Sequence, residues 1–158
     1  MFKEMRRKDR KLETTEIVEI LKKCNYGFLS TIAENGYAYG VPISYVYVND
    51  SIYVHSAMEG NKLDNIRVNN NVSFCVVGDT MVLPDKFSTK YESVIAFGKA
   101  VEVSGGEKNE ALLAFIDKYS SQYIEKGKEY IKNAGKKTKV IKICIEHITG
   151  KARRGVEK

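Results

Sequence analysis

One short stretch of this chain gathers the side chains that an anion needs. His55 and Ser56 close a β-branched, aromatic run, and Asn61 and Lys62 open a helical pattern five residues later. Together they offer an imidazole, a hydroxyl, an amide and an ammonium between a strand end and a helix start. The unpaired N–H groups of a first helical turn favour negative charge as well. The set is chemically adequate to cradle a phosphate. Taken singly, each residue has a plainer reading: His55 as a surface imidazole, Gly60-Asn61-Lys62 as an ordinary helix start. No Ser-His-Asp set, paired carboxylate site or GxGxxG loop accompanies them. Cys24, Cys75 and Cys144 lie far apart with no CxxC pair, and neither His55 nor His147 has a metal-spaced partner. Neither a disulfide framework nor a metal site is expected.

The elements that must position these residues can be read from periodicity. Ile17, Ile20, Leu21 and Cys24 follow helical spacing, with Thr14 or Thr15 as the cap, which predicts a helix over 14–24. YGFLSTI at 26–32 reads as a strand, Asn35-Gly36 as a tight turn, and YAYGVPISYVYV at 37–48 as a second, long strand. Pro42 cannot donate a ladder hydrogen bond, so it predicts a bulge, an edge or a bend. Asn49-Asp50-Ser51 turns the chain into IYVHS, and 26–56 becomes a three-stranded antiparallel meander. Tyr37, Tyr39, Tyr45 and Tyr47 share one face by period two, as a core or dimer stripe.

A helix at 61–69, a strand at 72–77, an irregular stretch at 78–92 and a strand at 93–103 follow. A helix from Glu107 to Lys126 then carries Leu112, Phe115, Ile116 and Tyr119 on one face, with a short helix at 128–133 and a last strand at 140–148. Six strands with interspersed helices predict an α+β, barrel-like domain.

Composition narrows the function classes. A chain of 158 residues fits a single domain, 1–158, large enough to bury a core without staples. A hydrophobic share of 43% excludes a disordered chain, and Gly 12 with Pro 2 excludes a collagen-like one. No apolar run reaches the ~18 residues of a membrane span, and no apolar segment follows the basic start. A soluble, cytoplasmic protein without membrane contact is expected. The net charge of +6 is uneven: +3 over residues 1–23, −5 in the middle and +8 over residues 126–158. No recognition-helix, zinc-finger or RNP pattern turns these basic ends into a nucleic-acid site.

The order of segments carries a further signal. MRRKDR at 5–10, YGFLST at 26–31, GYAYGVPISYVY at 36–47, IYVHSAMEGNKLDNIRVNNNVSFCV at 52–76 and HITGK at 147–151 span nearly the whole chain. In that order they resemble the pyridoxamine 5′-phosphate oxidase-like, FMN-binding split-barrel superfamily, in its nitroimidazole-resistance (NimA-like) branch. The resemblance implies a six-stranded antiparallel split β-barrel with flanking helices. It also implies a homodimer with two FMN sites between subunits, FAD or haem being the alternative cofactors.

By the resemblance, Ser56, Asn61 and Lys62 hold the phosphate, with His55 beside it or nearer the ring as the one candidate catalytic side chain. Val41, Pro42, Ile43 and Ser44 seat the flavin ring, and Lys151 and Arg153 reach the same or the partner's flavin. The implied activity is oxidoreductase chemistry carried by the flavin, drawing on NAD(P)H and reducing a nitro compound or another small acceptor. The alternative is a flavin- or haem-binding module without robust turnover. The ending GKARRGVEK lacks the arginine-rich motif of true pyridoxamine-phosphate oxidases, so vitamin B6 oxidation is not expected.

Overall fold

The computed structural model describes residues 2–155; the last three residues of the GKARRGVEK segment therefore lie outside the described part. The element order is α1 (Thr14–Lys23), β1 (Tyr26–Ile32), β2 (Ala38–Val48), β3 (Ser51–Ser56), α2 (Asn61–Val68), β4 (Asn71–Leu83), β5 (Ser88–Val103), α3 (Gly105–Ser120), α4 (Ile124–Ala134) and β6 (Lys139–Arg153). The strands close into one antiparallel ring in the order β1-β2-β3-β6-β5-β4. This is the α+β six-stranded barrel that the segment order implies. No described helix is long and apolar enough to cross a membrane.

Local chemistry explains the first half. Gly36 takes φ +84° in the β1–β2 turn, and Asn49 and Asp50 take φ 48° and 53° between β2 and β3. Asn and Asp tolerate that left-handed region better than other non-glycine residues. Alternation then decides which side chains face inward. Leu29, Tyr45, Ile52, Val54, Phe74, Val76, Val94 and Ile143 fill the barrel, and Ile17, Ile20 and Leu21 of α1 join the same core. The cap of α1 differs from expectation. Glu13 precedes the helix and its N–H donates to the Glu16 carboxylate at 3.0 Å, while Thr14 and Thr15 lie in the first turn.

Three stretches depart from the sequence expectation. Residues 78–92 are not irregular: β4 and β5 run on through them as a long hairpin, with a register shift between Val77 and Thr80. Lys23 ties this hairpin to α1 through Asp79 at 2.8 Å and through the buried Glu92. The expected single helix to Lys126 breaks at Ser120, and a 3-10 turn over Ser121–Tyr123 leads into α4. β6 starts at Lys139 and continues five residues past the expected end at 148, pairing with β5 up to Tyr91↔Arg153.

The tyrosine stripe of β2 divides. Tyr45 is fully buried and its hydroxyl donates to Leu21 C=O at 2.7 Å, and Tyr47 packs partly against the core. Tyr37, by contrast, is 75% exposed.

Candidate functional site

β2 changes partners midway, and the site follows from that change. Residues 38–44 pair with β1, from Ile32↔Ala38 to Tyr26↔Ser44. Residues 45–48 pair with β3, from Tyr45↔Val54 to Val48↔Ser51. Continued one step, the second register would set Ser44 beside His55, and after it Ile43 beside Ser56. The ladder instead ends there, and the chain from Ser56 turns away into α2.

The exposed edge of β2 can be assigned atom by atom. Tyr37 C=O accepts from Ala33 N–H at 2.8 Å, and Tyr39 C=O accepts from the Thr31 hydroxyl at 3.4 Å. Odd-numbered residues thus turn their backbone groups toward β1. By the alternation of an antiparallel strand, Ala38, Gly40, Pro42 and Ser44 turn theirs the other way. Over residues 38–43 no described strand pairs with that side, and the β3 ladder begins only at Tyr45↔Val54. Pro42 pairs with Phe28 without any register shift, so it marks an edge and neither a bulge nor a bend. Its missing donor falls on the open side, where the N–H groups of Gly40 and Ser44 flank it. All four residues are small, so their own side chains leave the edge accessible.

The partner switch is pinned by two residues that sequence reading did not assign to the site. Tyr45 N–H donates to the Tyr119 hydroxyl at 3.0 Å, and that oxygen lies 2.5 Å from Asn25 C=O and 2.8 Å from Tyr45 C=O, one of which it donates to. The Lys118 ammonium donates to Cys24 C=O at 2.7 Å and Tyr45 C=O at 3.1 Å, and sits 4.1 Å from the Tyr45 ring centre. Tyr119 thus fills the gap in the ladder just past Tyr26↔Ser44. Periodicity had marked it only as part of an apolar helix face.

Lys118 supports a pH prediction. Burial pushes its ammonium down to about 8, with Cys24 acting weakly in the opposite direction. A lysine held below its unfolded value binds fewer protons folded than unfolded between about pH 8 and 10.4, so its contribution to stability rises across that window. Melting curves of wild type and Lys118→Met should therefore separate in favour of wild type as pH rises from about 8 to 10. The opposite trend would mean that the two carbonyls hold the charge more strongly than burial removes it.

At the other side of the open edge stand the anion-type residues. His55 is exposed but lies edge-on to Phe115 of α3, ring centres 4.7 Å apart. Burial on that side, and then the charge of Lys62, push its imidazole below the ordinary value. The neutral ring has one donor and one acceptor nitrogen. Ser56 is buried, and its hydroxyl donates to Ala57 C=O at 2.9 Å. Gly60, at φ 141°, sets the chain for the first turn of α2, where Asn61 is exposed and Lys62 half-buried. Gly60 C=O accepts from Leu63 and Asp64 N–H at 2.8 and 3.2 Å.

Eight of the ten residues singled out from sequence thus border one divergence: Val41, Pro42, Ile43 and Ser44 on β2, His55 and Ser56 on β3, Asn61 and Lys62 on α2. Lys151 and Arg153 do not join them. His55 and Ser56 pair with Val140 and Lys139, at the start of β6, while Lys151 and Arg153 pair with Ser93 and Tyr91 at its end. Eleven residues of strand, at about 3.3 Å each, separate Val140 from Lys151, a path of roughly 36 Å. Within one chain they stand at the opposite end of β6 from the His55–Ser56 pair. Among the described residues no cluster of three or more His, Cys, Asp or Glu is placed to hold a metal ion.

No curated protein sequence matches the chain. Among solved structures, a candidate 5-nitroimidazole antibiotic resistance protein from Bacteroides thetaiotaomicron is 24% identical. It aligns over 90% of this chain and 86% of its own with a TM-score of 0.72. The FAD binding protein from Mycobacterium smegmatis is 23% identical over 92% of this chain and 98% of its own, TM-score 0.67. An FAD and heme binding protein from the same organism is 15% identical over 92% and 74%, TM-score 0.81. These likenesses establish the fold. The family model for pyridoxamine 5′-phosphate oxidase matches residues 13–152, and the chain therefore belongs to that family.

Proposed function

We propose that the chain binds FMN and serves as a flavin-dependent oxidoreductase for a small acceptor. The observation that carries this reading is the open edge of β2 beside the His55–Lys62 turn. A flavin needs a planar slot with backbone donors and acceptors for its polar rim, and a separate set of donors for its phosphate. Gly40 and Ser44 N–H, with the carbonyls of Ala38, Gly40 and Pro42, supply the first. Lys62, Asn61, the first-turn N–H groups of α2 and His55 supply the second. Ser56 joins them only after its hydroxyl leaves Ala57 C=O. The residues present fit a flavin, and their one phosphate cradle favours FMN in this reading, with FAD the alternative.

Bound there, flavin would supply hydride or electron transfer, with NAD(P)H as donor and a nitro compound among the acceptors. The chain's own part is to hold, orient and polarise. His55 is the side chain placed to move a proton, and its lowered value keeps it neutral at pH 7. The similar nitroimidazole-resistance protein supports the choice of acceptor. A homodimer completes the slot in this reading. The outer barrel face leaves Tyr26, Phe28, Ile32, Val77, Ile95 and Phe97 exposed, an apolar surface suited to a second copy. A cytoplasmic location suits its three free cysteines.

A second reading, a flavin- or haem-binding module without turnover, is favoured by the open edge offering backbone groups alone. Anaerobic reduction of the reconstituted protein by NAD(P)H, followed by reoxidation with a nitroimidazole, separates the two. Enzyme function expects both half-reactions at rates above those of free FMN. A flavin that binds but reacts no faster than in solution would leave the module. Light scattering on the same sample should give twice the chain mass.

A further inference from the structure

The end of β6 that the flavin reading leaves unused carries a cationic cluster of its own. Tyr91 of β5 stands opposite Arg153 of β6, with Lys151 two residues along on the same face. Arg10, from the turn before α1, reaches over them and donates from Nη1 to the Tyr91 hydroxyl at 3.4 Å. The Lys151 ammonium lies 5.7 Å from the Tyr91 ring centre, and Arg153 Nη1 contacts the Ser88 hydroxyl. Residues 143 positions apart in sequence thus meet around one phenol.

Two features set this cluster apart from a solvated charge run. The Nε atoms of Arg10 and Arg153 are both buried and have no hydrogen-bond partner. Buried donors of this kind are rarely left unsatisfied, and a guanidinium donor least of all. Both side chains also line a cavity of about 350 Å³, and Arg153 lines a second of about 310 Å³ with Tyr91. The carboxylates near these cavities are engaged elsewhere. Asp9 takes two bonds from Arg7, at 2.8 and 2.6 Å, and lies 3.8 Å from Arg10 Nε. Glu16 pairs with Arg154 and Glu13 N–H, and Glu92 with Lys23 and Arg154. Among the described residues neither Lys151 nor Arg153 has a carboxylate partner, so the local balance is positive.

We propose that Arg10, Tyr91, Lys151 and Arg153 form a second anion site, one that takes a phosphate-class oxyanion carried by a small molecule. Two planar guanidinium forks and an ammonium around one phenol match a tetrahedral dianion, which accepts several bonds at once. The phenol fits the same picture. Burial opposes ionisation of the phenol, but Arg10 and Lys151 outweigh that and hold it below the ordinary tyrosine value. An entering anion would release that pull. Within one chain the site is distinct from the Lys62 cradle, the length of β6 lying between them.

The test uses the full-length, flavin-free protein in a buffer without phosphate. Inorganic phosphate is titrated in at constant ionic strength, and the arginine Nε–H resonances are followed. The Arg10 and Arg153 signals should move saturably, and Arg153→Met should weaken the apparent affinity roughly ten- to a hundredfold. Lys151→Ala should act in the same direction, and Lys62→Ala should leave the affinity within about twofold. Signals that fail to saturate, or that chloride moves equally, would overturn the site. So would a titration that Lys62→Ala abolishes and Arg153→Met spares, which would assign the phosphate to the cradle instead.

Discussion

Replacing Lys62 with alanine is expected to weaken FMN binding by roughly ten- to a hundredfold, while Lys137→Ala leaves it unchanged. A charge-assisted hydrogen bond contributes about 1.5 to 3 kcal/mol, and each ~1.4 kcal/mol is a factor of ten in affinity. Lys62 is half-buried in the first turn of α2, where its charge and the helix N–H groups converge on one side of the divergence between β2 and β3. Its charge already registers on the His55 imidazole. Lys137, by contrast, lies exposed in a 3-10 turn over Gly135–Lys137, outside α2 and its helix N-terminus. Ser56→Ala should cost less than Lys62→Ala, because the Ser56 hydroxyl is neutral and already bonded to Ala57 C=O. Equal affinities of wild type and Lys62→Ala would place the phosphate elsewhere.

The largest stability effect is expected at Gly98. Here β5 and β6 shift register between Phe97 and Gly98, and the strands approach so closely that a Cβ at 98 would stand 2.1 Å from Cys144 C=O and 2.8 Å from its carbon. Both atoms are backbone, so nothing can rotate aside. Gly98→Ala must push the most extensive strand pair of the barrel apart, and overpacking of this kind costs about 1–3 kcal/mol, more where backbone is displaced. For a chain of this length about 3 kcal/mol lowers the melting temperature by roughly 6–12 °C. Gly106→Ala, in the first turn of α3 with open space around its Cβ position, should change it by no more than a degree or two. Similar melting of the two variants would mean that the strands yield at the shift.

Much of the barrel was legible because its signals are local. Asn35-Gly36 and Asn49-Asp50 mark their turns by the φ they accept, and alternation in YGFLSTI and VSFCVV shows which side is core. The 78–92 hairpin was not legible. Gly78, Asp79, Pro84 and Asp85 read locally as a loop, and only pairing across 11 registered positions with β5 holds β4 straight. The cradle residues were legible as a chemical set, but the open edge was not. A strand's change of partner at Ser44/Tyr45 leaves no mark in its own sequence beyond Pro42, and Pro42 allowed three readings. Lys151 and Arg153 were assigned through resemblance to the same or the partner's flavin, and within one chain the length of β6 separates them from His55 and Ser56. Their partners Arg10 and Tyr91 come from distant segments, so no local pattern joins them.

The central claim is that flavin seats itself along the unpaired edge of β2. Amide hydrogen exchange of Gly40 and Ser44, read by NMR with and without FMN, tests it most directly. These two N–H groups flank Pro42 on the side that no described strand covers, so in flavin-free protein they should exchange far faster than those of Val41 and Ile43, which face β1. Saturation with FMN should slow Gly40 and Ser44 selectively and shift their resonances, with one flavin bound per chain. FMN that binds while both amides keep their exchange rates, or that does not bind at all, would contradict the claim.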